Sequence, residues 1–234
     1  MKNLELIALI ILSWLLIWLF EKGKLSILGL KPTANRLKIL VLLFGVTALC
    51  CSIGFFMRMY FGKEVFALNP QLTTTLILTG VWRVFESVLF EELLFRGVGL
   101  YILIKKVGQK WAILISAIVF SFLHINIGGN VVQVITTVNF TFFMGLVLAY
   151  AYAKTGSLYA SFAIHFGWNL MQNFIFSEGT LGHQLFISVL KPEVTVSYFV
   201  FFSLILLPKI SAIVLNYLIL KRQIIDFKNF IKVK

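Results

Sequence analysis

The chain has 234 residues, 60% of them apolar and only 13% charged. Soluble domains average about 45–50% apolar and about 25% charged, so a soluble globule and a disordered chain are both excluded. The excess of 21 Lys and Arg over 9 Asp and Glu gives +12, but these cations cluster at the ends of apolar runs, where they set topology and meet lipid head groups rather than nucleic acid.

The first apolar run, 4–20, ends in Trp18, Leu19, Phe20, Glu21 and Lys22. It has no small-residue cleavage site, so it reads as a retained span. A basic linker follows over 21–38, then a second span over 39–56 that contains the adjacent Cys50 and Cys51. Two neighbouring cysteines inside an apolar run make neither a disulfide framework nor a zinc pair. Residues 58–72 read as a loop with Arg58 and Lys63. A third helix starts near Thr73 and runs to Ile104. Lys105, Lys106 and Lys110 mark a connection to a fourth helix over 111–124. A fifth covers 131–152 and a sixth 157–176. The short apolar stretch 181–190 reads as interfacial or re-entrant. Residues 194–220 form one span, or two half-spans broken at Pro208 and Lys209, before a basic tail.

A span needs roughly 20 apolar residues. Seven helices meet that requirement, or eight if one divides. The expected fold is therefore an all-α polytopic membrane bundle, a single integral domain over 1–234 with the lipid bilayer as its surroundings. Positive-inside counting puts the linker, the 105–110 connection, Lys154 and the tail on the cytoplasmic side. Arg58 and Lys63 count against that scheme.

The third helix is the anomaly. Arg83, Glu86, Glu91, Glu92 and Arg96 interrupt its apolar character, although insertion scales put each such charge at about 2.5–3.5 kcal/mol at the bilayer centre. They must face the bundle interior and find partners. Glu92 and Arg96 are i and i+4 with the acid first, the favourable order; Arg83 and Glu86 are i and i+3. Glu91 is left over. It either binds a cation on a neighbouring helix or does chemistry.

Two histidines lie within apolar helices, His124 and His165. Glu91 lies 14 residues before Lys105, and His124 lies 14 residues after Lys110. At 1.5 Å rise per residue each is ~21 Å from the basic connection, so an antiparallel pair brings them level. His165 and Asn169 share one helix face, at about the same depth. Two adjacent carboxylates in low dielectric do not both ionise freely, a setting suited to a general base near neutral pH. Glu91 can then deprotonate water that His124 positions, while an imidazole and a carboxamide donate to an oxyanion. A zinc site built from Glu91, His124 and His165 is the alternative; HExxH and GxSxG are both absent. A transporter is disfavoured because no internal repeat is visible. His183 matches no pattern and reads as a loop residue.

In order, these residues form EExxxR (Glu91–Arg96), FxxxH (Phe120–His124) and HxxxN (His165–Asn169). The set resembles the signature of the CAAX protease and bacteriocin-processing family, which includes the type II CAAX prenyl endopeptidases. The resemblance covers about 73–176, the expected catalytic core. It implies an intramembrane endopeptidase that works through a glutamate and needs no metal. Glu91 and His124 would activate water, His165 and Asn169 would hold the oxyanion, and Glu92 and Arg96 would support them. The short chain is more similar to bacterial members, which implies a multi-pass plasma-membrane protein. Its substrate would be a peptide or a membrane-protein tail, in bacteriocin or pheromone processing or in self-immunity. The competing expectation is a non-catalytic immunity or scaffold protein that keeps the polar cluster only for packing.

Overall fold

The computed structural model describes residues 2–21, 25–125, 128–176, 184–191 and 195–222. Its helices are α1 (Lys2–Glu21), α2 (Ala34–Phe61), α3 (Thr74–Arg96), α4 (Val98–Val107), α5 (Gln109–Leu123), α6 (Val131–Thr155), α7 (Leu158–Leu170) and α8 (Tyr198–Arg222). A single 3-10 turn (Leu25–Leu28) precedes α2, and a π-turn (Met171–Ile175) prolongs α7. Two short strands, β1 (Val65–Leu68) and β2 (Phe186–Leu190), complete the described elements.

The fold is a membrane helix bundle. α2, α6 and α8 are long and apolar enough to cross a bilayer, and Ile7–Leu19 and Gln109–Leu123 form shorter apolar helices. Trp18, Val131 and Phe199 are each more than half exposed, which a hydrocarbon solvent tolerates and water does not.

The chain divides into two compact units. The first comprises Met1–Val41, Leu89–Ala163 and Tyr217–Lys234. Its core gathers Ile17, Leu93, Tyr101, Tyr152 and Leu158. Small and hydroxyl side chains hold α5 to α6. Ser121 Oγ donates to the Val138 carbonyl at 2.8 Å, and Thr141 Oγ1 lies 3.3 Å from Ser121 Oγ. Polar contacts of this kind link helices where lipid supplies no hydrophobic drive. α6 begins with a capping box between Asn130 and Gln133, which satisfies the first free N–H groups.

The second unit comprises Leu42–Val88 and Ile164–Asn216. Asn216 Nδ2 donates to Thr47 Oγ1 at 2.8 Å and joins α8 to α2. β1 and β2 pair antiparallel. Beneath them Phe176 stacks on Phe55 at 4.8 Å and on Phe186 at 5.6 Å. The buried Glu64 carboxylate ties the ribbon to α2. It accepts from Arg58 Nε at 2.8 Å and from Ser188 Oγ at 2.6 Å, and Lys191 Nζ lies 3.9 Å away. Arg58, which disturbs the count of cytoplasmic cations, is therefore an ion-pair partner.

Several expected boundaries shift. The helix expected over 73–104 breaks at Gly97, where the backbone leaves the helical conformation and brings the Leu93 carbonyl oxygen so close that no Cβ fits, so only glycine allows this break. The stretch 181–190 contributes a strand, and the loop 58–72 holds its partner. α8 continues through Pro208 without breaking. Cys50 and Cys51 are buried free thiols, in keeping with a packing role. Arg83 and Glu86 do not pair: Arg83 is exposed, whereas Glu86 is buried and its Oε1 has no hydrogen-bond partner among the described residues. His183, Lys22, Lys24 and the tail beyond Arg222 lie outside the described residues.

Candidate active site

The break after Arg96 matters for the chemistry. It ends α3 one turn beyond Glu91 and Glu92, and α4, which follows, packs against α5. Glu91 and His124 meet even though the helix expected to carry Glu91 as far as the basic connection is broken at Gly97. His124 Nε2 lies 3.4 Å from Glu91 Oε2. That is long for a hydrogen bond, and catalytic contacts often tighten only when substrate binds.

His124 is the C-cap of α5, and its own N–H reaches back to Ser121. The last carbonyls of a helix lack helical partners. The imidazole serves one of them, with Nδ1 2.7 Å from the Phe120 carbonyl oxygen. A carbonyl only accepts, so Nδ1 carries the hydrogen. Neutral His124 therefore turns its unprotonated nitrogen, Nε2, toward Glu91.

Exposure separates the two adjacent carboxylates. The Glu91 and His124 side chains are 23% and 32% exposed, although the Glu91 Oε2 that faces the imidazole is itself buried. Glu92 and Arg96 are both 0% exposed and pair at 3.1 Å. The i, i+4 order read from the sequence is thus realised as a sealed ion pair. Glu91 is the acid left accessible.

His165 and Asn169 lie on α7, in the second unit. His165 is buried and Asn169 is half-buried. Gly167 between them is required by packing. A Cβ there would stand 2.8 Å from the Phe44 carbonyl oxygen and 3.3 Å from Thr47 Cβ, so α7 approaches α2 only with glycine at this position. Gly167→Ala is expected to lower stability by about 1–3 kcal/mol, the usual range for overpacking. Thermal unfolding in detergent micelles checks this; an unchanged midpoint would mean that α2 yields freely.

Among the described residues, no group of three or more His, Cys, Asp and Glu side chains is arranged to hold a metal ion.

Sequence reasoning placed Glu91, His124, Glu92 and Arg96 but missed the Ser121–Thr141 contact that anchors the end of α5. The only sequence signal for it was a pair of hydroxyl residues in two apolar helices.

Residues 71–171 match the family model described as type II CAAX prenyl endopeptidase Rce1-like. The family resemblance carried by the three motifs therefore holds over this segment, and the family is one of proteases. No curated protein and no solved structure matches the chain.

Proposed function

We propose, on the premise that its motif-bearing segment is of the CAAX endopeptidase type, that this chain hydrolyses a peptide bond at the membrane with water activated by Glu91. The observation that carries this reading is the approach of a partly exposed carboxylate to an imidazole whose Nδ1 is held by a backbone carbonyl. In the first step Glu91 takes a proton from a water positioned by His124. The hydroxide forms the C–O bond to the scissile carbonyl, whose π electrons move to oxygen. His165 and Asn169 take the oxyanion-stabilising role that the family resemblance implies. Collapse of the tetrahedral species breaks the C–N bond, and the proton held by Glu91 and His124 passes to the leaving nitrogen. Protein ligands for a metal are not needed at any point.

The substrate class we favour is a short peptide or a membrane-protein tail, in bacteriocin or pheromone processing or in self-immunity. The plasma membrane of a bacterium is its setting in this reading. The test compares membrane peptidomes of cells making the wild type with those making Glu91→Gln at equal abundance. Peptides that disappear in the variant identify the scissile bond. Identical peptidomes, with immunity retained, would favour the non-catalytic immunity or scaffold role instead.

A further inference from the structure

We propose that Phe120 is a positioning residue, coupling the sealed Glu92–Arg96 ion pair to His124 and locking the imidazole in the tautomer that faces Glu91. The catalytic use of that lock rests on the proteolytic reading above; the lock itself does not.

Phe120 is 2% exposed, and its ring is held from three sides. The Arg96 guanidinium carbon stands 4.0 Å from the ring centroid. Phe95 meets it edge-on at 5.1 Å. The His124 ring lies against it with centroids 4.2 Å apart and planes inclined at 46°. Arg96 bonds Glu92 through Nη1. Its Nε and Nη2 have no hydrogen-bond partner among the described residues. A guanidinium so poorly served by acceptors, and fully withdrawn from water, finds its compensation in the aromatic face; such contacts strengthen when desolvated.

One residue thus acts on the imidazole twice. The Phe120 carbonyl receives Nδ1–H and decides where the proton sits. The Phe120 ring, clamped by Arg96 and Phe95, decides the plane in which the imidazole lies. The Ser121–Val138 bond beside it holds that end of α5 against α6. Among the described residues, the charged groups in electrostatic reach of His124 are Glu91 and Arg96. Arg96 therefore affects the imidazole through the ring as well as through its charge. A ring-to-carbonyl arrangement of this kind explains why an aromatic residue stands four positions before the histidine, where any residue could supply the carbonyl alone.

The test reads the tautomer directly. The protein is labelled with 15N-histidine in detergent micelles, and the His124 signals are assigned by their loss in His124→Gln. At a pH where the imidazole is neutral, wild type is expected to show protonated Nδ1 and unprotonated Nε2. In Phe120→Leu the population is expected to move toward protonated Nε2, whereas Phe120→Tyr, which keeps the aromatic face, restores the wild-type pattern. Release of the peptides that depend on Glu91 is expected to fall at least tenfold in Phe120→Leu and to recover in Phe120→Tyr. If Phe120→Leu does not fold, the double variant Glu92→Leu/Arg96→Met removes the clamp without leaving a lone buried charge, and the same shift is expected. Wild-type tautomer signals in whichever of these variants folds overturn the proposal. A tautomer shift accompanied by peptide release indifferent to Glu91→Gln leaves the lock standing and removes the proteolytic reading.

Discussion

Glu91→Gln is expected to abolish peptide release by roughly 10²–10⁴-fold, the usual contribution of a positioned general base, with insertion and abundance unchanged. The substitution is nearly isosteric. Because Nδ1 of His124 donates to the Phe120 carbonyl, Nε2 offers a lone pair that the glutamine amide can satisfy. The site keeps its geometry and loses only its base, so a drop in activity cannot be charged to misfolding. Quantifying product peptides by mass spectrometry at matched protein levels measures the effect. His165→Ala and Asn169→Ala are expected to fall about 10²–10³-fold each, the range for loss of an oxyanion donor. Full activity in Glu91→Gln would end the glutamate mechanism. Full activity in both of the other variants would remove only the oxyanion assignment.

Arg96→Met is the second large effect, and it acts on stability. Glu92 and Arg96 are both fully buried and pair at 3.1 Å. Deleting one member of a buried pair leaves an uncompensated charge and costs about 3–5 kcal/mol. Replacing both members with apolar residues is often neutral, so Glu92→Leu/Arg96→Met is expected to recover most of that loss. Arg96 also sits 4.0 Å from the Phe120 ring centroid. The double variant is therefore expected to regain stability without regaining activity. Thermal unfolding in micelles, set beside peptide release, separates the two. A double variant less stable than Arg96→Met would show that the pair holds the bundle together through specific geometry rather than mutual neutralisation.

Both predictions concern groups that the sequence already singled out, and the reason is local. A charge in an apolar helix is visible as a violation of composition. Its partner four residues on is fixed by helix geometry, as for Glu92 and Arg96. Glu91 and His124 could be matched by counting equal numbers of residues from one basic connection, although that count assumed one unbroken helix from Glu91 to Lys105, and α3 ends at Arg96. The same reasoning failed for Arg83 and Glu86. Their spacing permits a pair, but which side of α3 is buried is decided by neighbours, and it buries Glu86 while exposing Arg83.

The sequence by itself determined that this chain lives in a membrane, that it is helical, and that Glu92 and Arg96 pair along one helix. Those facts follow from composition and from periodicities of a few residues. Only the tertiary structure decided that α3 ends at Arg96, that 65–68 and 186–190 pair as strands across more than a hundred positions, and that a phenyl ring links the buried ion pair to the imidazole. The last two are set by what lies across a contact: a strand edge that needs a distant partner, and a guanidinium short of acceptors that turns to an aromatic face; the break itself is a backbone turn that only glycine at position 97 can make.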